Sequence, residues 1–180
     1  MGKRYSELQP DQSAFIADQH MFFVATAPAQ GRVNLSPKGM DALRVISPTR
    51  ILWLNLTGSG NETAPHVVGD PRMTLMWCGF AARALILRTY GNARVTHRDH
   101  PDWPALAAQL PALPGARQIF DLTIDLVQSS CGFAVPFMDH AGDRPVLHDW
   151  AVDKGEDGLR EYWATRNTTT IDGAPTGIAP

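Results

Sequence analysis

Ser59, Asn61 and Thr63 alternate along the stretch Asn55-Leu56-Thr57-Gly58-Ser59-Gly60-Asn61-Glu62-Thr63, directly after the apolar run Ile51-Leu52-Trp53-Leu54. Short hydroxyl and amide side chains, with glycines that leave backbone N–H groups open, are what a phosphate needs between a strand and a helix. This is not a Walker loop, because the Gly-Lys-Ser/Thr ending is absent. The plain alternative is a capped loop that binds nothing, with Asn61 as helix N-cap. A second polar group precedes it in Arg32-Val33-Asn34-Leu35-Ser36-Pro37-Lys38. Strand alternation puts Arg32, Asn34 and Ser36 on one face and Val33 and Leu35 on the other. Asn34, Ser36 and Lys38 could therefore reach a phosphate or a ring edge, or simply form a solvated strand end. Trp77 offers either ring stacking or core packing. Arg88, inside an apolar strand, needs an anion or a carboxylate.

Other candidates carry less. His97 and His100 lack a third ligand, so no metal site is expected. His66, His140 and His148 stand alone and read as structural or exposed. No Ser/His/Asp order supports hydrolysis.

These residues need strands to hold them. His20–Ala27, Arg32–Leu35, Leu43–Ile46, Arg50–Leu56, Arg72–Phe80, Ala84–Tyr90, Asn92–His97 and Gln118–Gln128 read as strands by alternation and β-branched content. Gly91 predicts a bulge or bend within one long strand. Pro37 predicts an edge, since it lacks a ladder donor. Helices are expected at Asp11–Gln19 with Asp11 as N-cap, at Glu62–Val68, at Pro104–Leu110 and at Asp157–Arg166. Phe133–Met138 reads as a short extended run or turn, and Thr168–Pro180 as an extended arm or frayed end. Six or seven strands with short helices at the turns predict a mostly β fold, a closed or split antiparallel barrel. The suggested ligand is a phosphorylated cofactor. The chain reads as one domain over 1–180, with 129–180 a C-terminal extension or arm.

The chain has 180 residues, 44% hydrophobic and 19% charged, with a formal net charge of −2. That charge leaves no electrostatic footprint for nucleic acid. No Lys/Arg run exists to dock a membrane surface, and no stretch approaches the roughly 20 apolar residues that span a bilayer. The polar N-terminus lacks a signal-peptide core, so a cytoplasmic location is expected. Cys78 and Cys131 read as reduced and mostly buried.

The order Ser-Pro-Lys-Gly, apolar strand, Gly-Ser-Gly-Asn-Glu-Thr, Asp-Pro-Arg-Met-Thr-Leu-Met-Trp and Ile-Leu-Arg-Thr-Tyr-Gly-Asn-Ala-Arg-Val resembles the pyridoxamine 5′-phosphate oxidase-like, FMN-binding split-barrel family. Ser130–Pro136 and Arg166–Pro175 resemble the tail of one uncharacterised branch of it. The resemblance implies an FMN-binding split barrel and a homodimer with FMN in two clefts at the subunit interface. It places the flavin phosphate near Asn55–Thr63. The implied cofactor-binding residues are Arg32, Asn34, Ser36, Lys38, Asn55, Thr57, Ser59, Gly60, Asn61, Thr63, Trp77 and Arg88. It further implies an FMN-dependent oxidoreductase that moves a hydride or electrons to or from a small-molecule substrate. The alternative is a flavin-, haem- or deazaflavin F420-binding module, haem requiring an axial histidine such as His66.

Two departures stand out. The oxidase proper carries a basic residue where this chain has Ser59–Thr63, so the cation for the phosphate is expected among Arg32, Lys38, Arg72 and Arg88. The chain ends Thr176-Gly177-Ile178-Ala179-Pro180 in place of the oxidase's terminal Arg-x-His signature, so vitamin B6 oxidation is not expected. Glu62 in the phosphate loop raises a third reading, a structural dimer whose site has degenerated.

Overall fold

A computed structural model describes residues 2–178. Eight strands form one antiparallel sheet: β1 (Lys3–Tyr5), β2 (Phe22–Thr26), β3 (Asn34–Lys38), β4 (Leu43–Ser47), β5 (Arg50–Leu56), β6 (Arg72–Cys78), β7 (Leu85–His97) and β8 (Ala116–Cys131). Four helices join them: α1 (Pro10–Ala17), α2 (Thr63–Gly69), α3 (Trp103–Ala107) and α4 (Val146–Arg166). The sheet order is β3-β2-β6-β7-β8-β5-β4, with β1 added to the far half of β8. β3 and β4 end the order unpaired to each other, yet the sheet curls until Lys38 on β3 meets Asn55 on β5. The barrel is thus split between its two edge strands.

The period of two explains the packing of β5. Ile51 and Trp53 point into the barrel with Phe22, Leu75, Trp77 and Phe120. Leu52 and Leu54 point outward and are buried under Leu106 and Leu110 at and just beyond α3. A strand covered on both faces must be apolar throughout, which is why this run shows no alternation. It lies one strand in from the edge and is still fully covered. Trp53 stacks on Phe120 with ring centroids 4.4 Å apart, an arrangement that adds to simple area burial.

β7 and β8 form the long spine. Their ladder shifts register between Tyr90 and Gly91, where the bulge was expected. A Cβ on Gly91 would come within 1.9 Å of the Thr123 carbonyl oxygen, so only glycine admits this approach. Asp121 on β8 takes a two-pronged hydrogen bond from Arg50 at 2.9 and 3.0 Å, and a further one from Arg94 at 3.1 Å. Burial raises the Asp121 carboxyl's pKa, but the two arginines outweigh it and hold it below the usual range.

Several sequence expectations change. β8 is longer at both ends than Gln118–Gln128. α1 starts at Pro10, with Gln9 rather than Asp11 as N-cap; the Gln9 N–H donates to Gln12 Oε1 at 3.0 Å. α2 starts after Glu62, not Asn61. The last helix begins at Val146, well before Asp157, and breaks at Gly155, where φ is +63°. The break at Gly155 shifts the phase of the apolar positions, so no single helical period runs through the segment. Of the two readings of Phe133–Met138, the turn holds: the Val135 N–H donates to the Gly132 carbonyl at 2.9 Å. Cys78 is half-buried and Cys131 exposed, both free; they lie near the end of the sheet, where cover runs out. Among the described residues, no helix is long and apolar enough to cross a membrane.

The segment after α4 is ordered against the barrel. Thr169 bridges Pro175, and Asn167, Thr170 and Thr176 are buried. The Thr176 hydroxyl donates to the Asn167 carbonyl.

Candidate functional site

A cavity of about 400 Å³ opens where the barrel splits. β3 supplies one wall. Its residues Asn34, Ser36 and Lys38 turn inward and are half-buried, while Leu35 and Pro37 turn out. Asn34 Nδ2 donates to Thr63 Oγ1 at 3.2 Å, and Ser36 Oγ donates to Asn34 Oδ1 at 3.3 Å. β5 and the loop after it supply the other wall, from Asn55 to Thr63.

Two cations share this cavity. Lys38 Nζ donates to Asn55 Oδ1 at 3.2 Å and sits 5.6 Å from the centre of the Trp53 ring. Arg117, on β8, is only 3% exposed. It donates through Nη1 to Asn167 Oδ1 at 2.6 Å and through Nη2 to the Gly60 carbonyl at 2.7 Å. Both partners are neutral. Among the described residues neither cation has a carboxylate within 4 Å. Burial and the nearby Arg117 charge pull the Lys38 ammonium down to about 8. Burial pulls the Arg117 guanidinium down to about 10, against a small opposing pull from Tyr162. Buried positive charge without a counter-charge is costly, so the cavity favours an anion.

The polar atoms around the cations are also incompletely used. Asn61 is 2% exposed, and neither its amide nitrogen nor its amide oxygen finds a partner among the described residues. Arg117 Nε and Gln118 Nε2 are unpartnered as well. Buried polar groups are almost always paired. Asn61 and Arg117 line this cavity, so their unused groups mark a place where something else supplies the partners; Gln118 stands behind it, bonded to Asn55.

The remaining loop is held by structure. Thr57 donates its hydroxyl to the Gly115 carbonyl at 2.8 Å and accepts the Trp163 indole N–H at 2.8 Å. Asn167 Nδ2 donates to the Gly58 carbonyl at 3.0 Å and the Ser59 carbonyl at 3.4 Å. Glu62 lines the cavity, but its carboxylate accepts the Ile171 N–H at 3.1 and 3.2 Å. The tail is therefore tied to the loop from several sides. Composition alone leaves an extended arm or a frayed end open, because glycine, proline and threonine carry no local signal for long-range hydrogen bonds.

Asn34, Ser36, Lys38, Asn55, Thr57, Ser59, Gly60, Asn61 and Thr63 all line the cavity. The other three do not. Arg32 is exposed and pairs with Asp172. Trp77 is 1% exposed and packs beside Phe22 in the core. Arg88 donates to Ser130 Oγ at 3.3 Å, along the spine of the sheet. Of the four cations expected to meet a phosphate, Lys38 alone reaches the cavity; Arg72 is exposed and engaged by Asp70. His66 is buried between α2 and β2, bonded to Thr26, and lines neither this cavity nor its neighbour. Arg117, Gln118 and Asn167 were missed. The available signal was a charged residue heading the buried run Gln118–Leu122, the same reasoning that singled out Arg88.

The curled antiparallel sheet, open between its edge strands β3 and β4 with two buried cations at the opening, defines a split barrel. Residues 8–131 match the pyridoxamine 5′-phosphate oxidase family. Over 191 aligned residues the chain is 34% identical to the pyridoxamine 5′-phosphate oxidase family protein ustO of Aspergillus flavus, covering 95% of this chain and 76% of that one. The chain belongs to this family. The fold resembles a putative pyridoxamine 5′-phosphate oxidase of Lactobacillus delbrueckii, with TM-score 0.55 and 22% identity over 68% of this chain and 94% of the other. It also resembles HupZ of Group A Streptococcus, with TM-score 0.52 and 16% identity over 66% and 91% of the two chains.

Proposed function

We propose that this protein is an FMN-dependent oxidoreductase, with the flavin phosphate in the cavity between Lys38 and Arg117. The observation that carries this reading is the pair of cations in one cavity with no carboxylate partner, beside the unsatisfied amide of Asn61. A phosphate monoester, with charge near −2, answers both cations and the Asn61 amide nitrogen. It accepts charge-assisted hydrogen bonds from both cations and takes the Asn61 amide N–H. Two cations also answer the missing basic residue of the Ser59–Thr63 loop.

When bound, FMN supplies hydride or electron transfer. The protein's part is to hold and orient it. Lys38 and Arg117 supply charge, Asn55 and Gln118 fix the Lys38 ammonium through a 2.9 Å amide pair, and the Trp53 ring lies 5.6 Å from that ammonium. Homodimerisation is part of the proposal. Val33, just before edge strand β3, and Leu35 on it are 71% and 63% exposed, an apolar edge that a second copy would cover.

Absorption spectroscopy with FMN titration tests the reading. Uptake with a shifted flavin spectrum, weakened about 10- to 100-fold in Lys38→Met, is expected. A well-folded protein indifferent to FMN would overturn it.

A further inference from the structure

A second cavity, of about 640 Å³, adjoins the first. The two share Gly39, Met40, Thr57, Gly58, Ser59 and Leu147, so they are compartments of one space. Their chemistry differs. The first is polar and cationic. The second is walled by Met21, Met40, Val146, Leu147, Trp150 and Tyr162. Trp150 and Tyr162 meet edge to face, 5.1 Å between centroids. His20 and His140 stack nearly parallel on the same cavity, with centroids 3.6 Å apart and planes 16° apart. Flat rings and soft methionine side chains suit a planar apolar body.

One charge in this lining is left over. Arg144 borders the cavity and has no carboxylate within 4 Å among the described residues. Asp143, its neighbour, instead faces His140 Nε2 at 3.9 Å. A guanidinium matches a carboxylate with two parallel hydrogen bonds.

We infer that this second compartment binds the substrate, a small planar apolar molecule with a single carboxylate seated on Arg144. The inference rests on reading the first compartment as the flavin phosphate seat. It goes beyond that reading by naming the substrate's chemical class and the residue that selects it.

Calorimetric titration of trans-cinnamate, with cinnamamide as its uncharged counterpart, tests the inference on the protein with and without FMN. Cinnamate binds both forms, and cinnamamide binds at least about tenfold more weakly, as expected for loss of a charge-assisted pair. Arg144→Ala removes the difference between acid and amide. Arg144 is exposed, so this variant keeps the fold. Absence of cinnamate binding, equal binding of acid and amide, or an unchanged preference in Arg144→Ala overturns the inference. Loss of cinnamate binding once FMN is loaded also overturns it and gives the compartment to the cofactor. FMN titration alone judges the other reading: Arg144-dependent cinnamate binding by a protein that refuses FMN removes the flavin and leaves a carboxylate site.

Discussion

Arg117 and Asn167 are joined by a 2.6 Å hydrogen bond from Nη1 to Oδ1, both residues almost fully buried. The bond links the cavity floor to the tail, and Asn167 in turn holds the carbonyls of Gly58 and Ser59. Asn167→Ala leaves a guanidinium N–H and at least one carbonyl unpaired. A loss of about 2–3 kcal/mol is expected, a drop of roughly 5–10 °C in Tm for a chain of this size. Weaker FMN uptake accompanies it, because the loop and Arg117 lose their shared anchor. Differential scanning calorimetry and FMN titration check both effects; an unchanged Tm would show the bond to be idle.

Lys38 makes the anion site pH-dependent. Its pKa is lowered in the fold from 10.5 to about 8, so the unfolded chain holds the proton more tightly. Stability of the ligand-free protein therefore rises with pH between about 8 and 10.5, where the unfolded state binds more protons. Saturating phosphate should flatten this rise, since an anion restores the charged form. Phosphate affinity itself falls as pH passes about 8. Lys38→Met should remove the rise above pH 8 and stabilise the ligand-free protein at pH 7. Thermal melts across this range, with and without phosphate, decide the matter.

Thr57 serves the scaffold through its side chain. Its hydroxyl is spent between the Gly115 carbonyl and the Trp163 indole. Thr57→Val preserves shape and orphans the indole N–H, at a cost of about 1–3 kcal/mol. Trp163→Phe removes the indole donor and leaves the Thr57 hydroxyl donating to the Gly115 carbonyl, so it orphans no donor and should cost less from the hydrogen bond, with some loss of packing. Chemical denaturation of each variant would reveal the order; a milder Thr57→Val would contradict the assignment.

Gly91 tolerates no side chain. The 1.9 Å approach to the Thr123 oxygen forces backbone movement in Gly91→Ala, costing about 3 kcal/mol or more. The damage falls on the β7–β8 ladder. Hydrogen exchange should show faster opening of amides on both sides of Gly91, and wild-type protection there would refute the expected strain.

Local sequence chemistry determined every strand but the short β1, though it set β3 too early at Arg32–Leu35, together with the Gly91 bulge, the Pro37 edge and the two polar stretches at Asn34–Lys38 and Asn55–Thr63. Each is encoded by neighbours within a few residues: the period of two, a missing N–H, a missing Cβ. Tertiary structure alone decided which cations meet. Arg32, Arg72 and Arg88 look as able as Lys38 in the sequence, but Asp172, Asp70 and Ser130 engage them. Arg117 joins Lys38 only because the sheet curls until β3 faces β5 across the split, and curl depends on every strand's register at once. The same holds for the tail. Its order comes from hydrogen bonds between Asn167, Ile171 and Asp172 and residues far back in the chain, and no local pattern records a partner that distant.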